Sequence, residues 1–177
     1  MFQLNEIFGK RVPMKIFSFF SENPSLEFSE TEVRKKLKLS RGSTNKWLNL
    51  LSKHKILSVQ VKGRMNLYKL NIESPIVKQF RILLNISKIF PLLSEVKNVQ
   101  IYLYGSVARG EDLEDSDIDL LIIGKKSEEI LTAIRKIESS LGKRVKASFY
   151  SELEWSQIAR KDPAFYERVE KDKIRLI

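Results

Sequence analysis

The sequence predicts two domains of different class. Residues 1–72 form a small α+β domain, residues 95–177 an α/β domain, and residues 73–94 a helix joining them. Three observations predict this. First, charge is partitioned: residues 1–72 carry 14 Lys/Arg against 5 Asp/Glu, and residues 73–177 carry 18 against 17. Second, helix-period segments before residue 55 give way to two alternating runs around a single glycine. Third, beyond residue 95 apolar strand-like runs alternate with helix-period segments, the pattern of a helix-covered sheet.

The 177 residues suit one domain or two small ones, and at 42% hydrophobic and 31% charged the chain is of globular type. There is no cysteine, which excludes a disulfide framework and a thiolate zinc site. Apolar runs such as LLIIG fall far short of the ~20 residues that cross a bilayer. The start, MFQLNEIF, lacks the basic-then-apolar layout of a secretory leader. The expectation is therefore a cytoplasmic protein with no membrane partner. A net charge of +10 gathered in one domain is the footprint of a polyanion partner.

In residues 12–23, Val12, Ile16, Phe19 and Phe20 recur at helical spacing, and Asn23-Pro24 ends the run. Ser29 and Glu32 make a capping box before a short helix with Val33 and Leu37 inward. Leu39-Ser40 turns the chain. A third helix follows, with Ser40 as N-cap and Trp47, Leu48 and Leu51 on its buried side. ILSVQV and NLYKLN then alternate around Lys62-Gly63-Arg64, a hairpin with glycine in the turn. Residues 39–71 in this order resemble a winged helix-turn-helix. That resemblance implies binding of double-stranded DNA, with the third helix entering the major groove by its N-terminal residues. Arg41, Ser43, Thr44, Asn45 and Lys46 lie there, and Lys62 and Arg64 at the hairpin tip reach a neighbouring backbone or minor groove. The plainer alternatives are a solvated basic face or a protein-docking module. His54, near the end of the third helix, reads as a surface residue.

Ser74-Pro75 starts the connecting helix. Ile76, Phe80, Leu83, Leu84 and Ser87 form its stripe, which packs on either domain or on a second copy, giving a homodimer.

Residues 104–123 read YGSVARGEDLEDSDIDLLII. Residues 98–104 form a strand, Gly105-Ser106 a turn, and residues 107–110 about one helical turn. After an acidic loop, residues 117–123 form the next strand. Strand alternation sends Ile118 into the core and puts Asp117 and Asp119 on one face, where they repel unless a cation lies between them. A hard divalent ion suits two carboxylates: Mg²⁺ first, with Mn²⁺ as the alternative. Glycine allows close approach of a phosphate, and the serine hydroxyl and adjacent amides offer it donors. The pattern points to a metal-chelated nucleoside triphosphate and, with a metal pair, to nucleotidyl transfer onto a hydroxyl.

Gly105-Ser106, ten residues, then Asp117-Ile118-Asp119 and an aliphatic run resemble the signature of the DNA polymerase beta nucleotidyltransferase superfamily, close to its minimal members. The likeness covers residues 98–150 and implies a nucleotidyltransferase fold with a mixed sheet. It implies Mg²⁺ ligation and catalysis by Asp117 and Asp119, and phosphate contact by Gly105, Ser106 and Arg109. ATP is the donor it favours, and an antitoxin role beside a HEPN-type toxin is one partner it suggests.

One part of the superfamily pattern is absent. Active members carry a third carboxylate on the next strand, and here that strand is RVKASFY, residues 144–150, with Lys146 at the expected place. Such a lysine pairs with Asp117 or Asp119 and repels a metal. Three readings stay open: an enzyme with a reduced metal site, a domain that binds nucleotide without transferring it, or a fold kept for packing or partner contact. The second would make the protein a DNA-binding regulator with a nucleotide sensor. Relatives bearing a winged helix often lack this acid, by the same resemblance. Glu152 and Glu154 follow the strand and start the next helix. Asp162-Pro163 opens a last helix with Phe165 and Val169 inward, and residues 173–177 end in a short strand. Trp155 and Tyr166 line either a base pocket or the core.

Overall fold

The computed structural model describes residues 7–177; the first six, with most of the segment read for a leader, lie outside the described residues. The chain divides into two compact units, one ending at Lys78 and the other spanning Gln79–Ile177. No helix among the described residues is long and apolar enough to cross a membrane.

The first unit runs α1 (Arg11–Glu22), β1 (Phe28–Ser29), α2 (Glu30–Leu37), α3 (Arg41–Lys53), β2 (Leu57–Lys62) and β3 (Met65–Leu70). Ile16, Phe17 and Phe20 of α1 are fully buried. Such side chains contribute about 1.5–3 kcal/mol each. Phe19 adds a tilted ring contact to Phe28 at 4.7 Å. The capping box on α2 is complete: Glu32 N–H donates to Ser29 Oγ and Ser29 N–H to Glu32 Oε2. Ser40 caps α3 by accepting from Ser43 N–H at 3.3 Å. The strands form an antiparallel sheet in the order β1-β3-β2, and Gly63 turns the hairpin at φ 62°. β1, with Phe28 opposite Tyr68, has no counterpart in the sequence reading, because two residues are too few to display alternation.

The second unit begins within α4 (Pro75–Ile89) and a 3-10 turn (Phe90–Leu93). It continues β4 (Gln100–Tyr104), α5 (Gly105–Arg109), β5 (Ile118–Ile123), α6 (Glu128–Leu141), β6 (Val145–Tyr150), α7 (Glu152–Lys161), α8 (Pro163–Glu170) and β7 (Ile174–Arg175). The sheet order is β6-β5-β4-β7. β5 and β6 are parallel, with α6 as the crossover a parallel pair requires, and the other pairs are antiparallel, so the sheet is mixed. One face, with Ile101, Leu103, Ile118, Leu120 and Ile122, packs on Ile130, Ala133 and Ile137 of α6. The other, with Tyr104, Leu121 and Ile123, packs on Trp155, Phe165 and Val169 of α7 and α8. The apolar stripe expected on α4 is corrected in part: Phe80 is buried, but Leu83 is 59% exposed while the charged Arg81 is 2% exposed.

Candidate functional site

β4 ends at the turn that starts α5, and β5 runs antiparallel beside it, so Tyr104 stands opposite Asp119. Gly105 takes φ 75°, in the region that favours glycine. A Cβ there would also overlap the Asp119 carboxylate. Glycine is thus required twice, by backbone conformation and by close approach. Ser106 follows, half-buried in the first turn of α5. Ile118 is 1% exposed, so Asp117 and Asp119 on either side of it lie on the opposite face, where Asp119 meets the Gly105 turn.

Lys146 stands on β6, next to β5, beside the two aspartates. Its Cα pairs with that of Asp119 across β5 and β6, and its Nζ lies 2.7 Å from Asp117 Oδ2. This hydrogen bond holds the Asp117 carboxyl below its usual range and raises the Lys146 ammonium. Asp119 moves the other way: burial pushes its carboxyl up, against the attraction of Lys146, with Asp117 adding repulsion. The two aspartates therefore differ in environment, one ion-paired and one partly desolvated. Among the described residues no three His, Asp or Glu side chains are grouped to hold a metal. Both carboxylates are oxygen ligands of the kind a hard divalent cation takes, but Asp117 is already bonded to an ammonium.

Arg109 is committed elsewhere. Its Nε donates to Glu111 Oε2 at 2.9 Å and its Nη1 to Asp172 Oδ2, in the turn after α8. Asp172 Oδ1 is buried without a hydrogen-bond partner. Arg168 on α8 was not singled out from sequence. Its guanidinium lies over the Phe165 ring at 5.3 Å, and its charge reaches Asp119 and Tyr104. The sequence signal was the i, i+3 spacing that puts Arg168 on the same helix side as the inward Phe165.

The acidic loop before Asp117 is anchored by Asp112, 5% exposed. Arg81 Nη2 lies 3.0 Å from its Oδ1, Asn85 Nδ2 donates to the same oxygen, and Lys143 Nζ donates to Oδ2. These partners come from α4 and the α6–β6 turn, about thirty residues away on either side, beyond the reach of a local pattern.

On the first unit, Arg41, Asn45, Lys46, Lys62 and Arg64 are exposed and Ser43 is half-buried. Thr44 is a correction: it is fully buried and its hydroxyl donates to the Ser40 carbonyl, so it faces the core. Asn45 Nδ2 donates to Glu30 Oε2 at 3.0 Å, and Lys62 Nζ pairs with Glu27 Oε2 at 2.9 Å. Trp47 is half-buried, with Lys46 Nζ 5.2 Å from its ring centre. Arg41 and Arg64 line one open cleft of about 770 Å³, together with Glu30, Arg34, Lys35 and Tyr68. Arg34 and Lys35 thus join the basic face; their signal was the RKK run in α2.

Comparison with solved structures gives partial likenesses. Reduced HlyU from Vibrio cholerae is 21% identical, over 46% of this chain and 81% of that one, with a TM-score of 0.39. A toxin-antitoxin crystal structure with AMP-PNP is 21% identical over 52% and 73%, with a TM-score of 0.37. A putative nucleotidyltransferase from Sulfolobus solfataricus is 24% identical over 56% and 82%, with a TM-score of 0.29. No curated protein matches. The family model described as "Nucleotidyltransferase domain" matches residues 85–176, just over half of the chain. That span takes in the Gly105-Ser106 turn, both aspartates and the whole mixed sheet, and the chain belongs to the nucleotidyltransferase domain family.

Proposed function

We propose that the C-terminal unit binds a nucleoside triphosphate, ATP by preference, and that the N-terminal unit is a winged helix-turn-helix that binds duplex DNA. The observation that carries the nucleotide reading is the close approach of Gly105 to Asp119, which puts the Gly105-Ser106 turn against one of the two aspartates. Asp117 and Asp119 would hold the Mg²⁺ of the nucleotide, and that ion would neutralise phosphate charge. Gly105 and Ser106 would face the phosphates. Lys146 stands where a base for the acceptor hydroxyl would be needed, which favours a nucleotide sensor over a transferase. The DNA reading rests on three helices, a hairpin and the net charge of residues 1–72.

The test is calorimetric titration of Mg-ATP into the protein and into an Asp117→Asn/Asp119→Asn variant. Metal-dependent binding present in the first and absent from the second supports the reading. Absence of binding to the unaltered protein overturns it. A second reading, transfer of NMP to a hydroxyl, is favoured by the exposure of the Lys146 side chain, 56%, which lets it swing away from Asp117. Label transfer from α-labelled ATP decides it. A HEPN-type toxin, the partner the resemblance implies, is the first acceptor to offer, followed by tRNA.

A further inference from the structure

Among the described residues two arginines attract Asp119, and they are held differently, Arg109 by carboxylates and Arg168 by a ring. Arg109, at the end of α5, is held between the carboxylates of Glu111 and Asp172. Its charge is largely spent inside the fold, and the bond to Asp172 ties α5 to the turn that follows α8. Arg168 lies one helical turn before that point, exposed and stacked on Phe165. Phe165 in turn stands edge-on to Tyr104, at 6.1 Å. Tyr104 is the residue before Gly105 and the Cα partner of Asp119. Val169 beside it is fully buried, and Asp162 caps α8 by accepting from Phe165 N–H at 3.0 Å, so the helix carrying Arg168 is fixed at both ends. The chain of contacts Arg168–Phe165–Tyr104 therefore ends at the Gly105-Ser106 turn.

We infer that Arg168 is a phosphate-binding residue of the nucleotide site, taking the role the superfamily likeness assigns to Arg109, with Arg109 acting as the tie that holds α8 in place. The inference rests on the proposed nucleotide reading. A guanidinium offers a planar fork of donors to phosphate oxygens, and stacking on an aromatic ring holds that fork in one plane. Lys146 on β6 and Arg168 on α8 would then flank the aspartates from two different elements, and together offset the charge of a polyphosphate chain. The ligand is the phosphate chain of a nucleotide, so affinity should rise with phosphate number through Arg168.

The experiment compares ATP, ADP, AMP and adenosine by calorimetry on the full chain, on Arg168→Ala and on Arg168→Lys, with thermal melts to verify folding. The expected result is that Arg168→Ala weakens ATP binding about 10- to 100-fold, flattens the ATP-to-AMP gradient and leaves adenosine unchanged. Arg168→Lys should recover part of the gradient. A folded Arg168→Ala protein with the full gradient overturns this inference and leaves the nucleotide reading standing. An unaltered protein that binds none of the four overturns both.

Discussion

Lys146 faces both aspartates at once: its Cα stands opposite that of Asp119, and its ammonium lies 2.7 Å from Asp117 Oδ2. The ammonium thus sits on a carboxylate that a metal would need. Lys146→Asp places an acid at the same register and removes the competing cation. The variant should bind Mn²⁺ more than tenfold more tightly than the natural chain, since a like charge is exchanged for a ligand. Titration followed by electron paramagnetic resonance reads this without any catalysis. Equal Mn²⁺ affinity in both proteins would mean that Lys146 does not occupy a ligand position.

Gly105→Ala tests the turn itself. The substitution forces an L side chain to φ 75° and drives its Cβ into the Asp119 carboxylate. Left-handed strain alone costs about 1–2 kcal/mol, and displacement of Asp119 adds to it. The expected outcome is a loss of about 2 kcal/mol or more on urea unfolding, together with loss of Mg-ATP binding. A stable variant that binds nucleotide normally would mean that the turn can relax away from Asp119.

The aspartates should differ in how they respond to pH. Burial raises the Asp119 carboxyl above its ordinary value, so its contribution to stability is complete below the ordinary carboxylate range and is lost as pH rises through the raised value. Asp119→Asn should therefore melt higher than the natural chain at about pH 7, with the difference vanishing at about pH 3, below the ordinary carboxylate value. Asp117 is depressed by Lys146, so its contribution is present above the ordinary value and fades as pH falls through the depressed one. Asp117→Asn should melt no higher than the natural chain at neutral pH. Calorimetric melts in chelator at both pH values check the pair, and an Asp119→Asn protein that gains nothing at pH 7 contradicts the account.

What the sequence disclosed follows from the range of each signal. Periodicity and capping chemistry act within a few residues, and they located α3 with its Ser40 cap and the hairpin. The Gly105-Ser106 and Asp117/Asp119 spacing located the second site, and alternation along RVKASFY put Lys146 on its face. The structure adds the partner: Lys146 is registered with Asp119, yet its ammonium bonds Asp117. The buried Arg81, the Arg109–Asp172 tie and the Tyr104–Phe165 contact that brings Arg168 to the site span tens of residues, which no local pattern encodes. Thr44 was misplaced for a related reason: a hydroxyl looks polar in sequence, but it satisfies itself on the carbonyl four residues back and can then be buried.

Asp112 anchors the loop that leads into Asp117. Its carboxylate meets Arg81, Asn85 and Lys143 in a nearly solvent-free setting. Asp112→Ala leaves Arg81 buried without its counter-ion, and losses of about 3–5 kcal/mol accompany such breaks. Arg81→Met/Asp112→Leu should recover most of that loss, since an apolar pair of similar volume replaces a desolvated ion pair. Urea unfolding of the three proteins is the check. Equal stability of Asp112→Ala and the natural chain would mean that the pair is open to water.

The basic face of the N-terminal unit is partly held by its own acids. Glu27 pairs with Lys62 and Glu30 accepts from Asn45, while Arg41 and Arg64 share an open cleft. If this face binds duplex DNA, Arg41→Ala and Arg64→Ala should each weaken binding across unrelated sequences and reduce the salt slope by about one. Glu27→Gln should act in the opposite direction. It removes a negative charge beside the hairpin tip and releases Lys62 for a phosphate, so affinity should rise a few-fold at low salt, with a steeper slope. Fluorescence anisotropy of a labelled duplex over a salt series measures all three. Arginine variants that match the natural chain in affinity and slope would remove DNA from this face. A Glu27→Gln variant that binds no more tightly would show that Lys62 is not among the contacts, because the same charge change would then act on no phosphate within a Debye length.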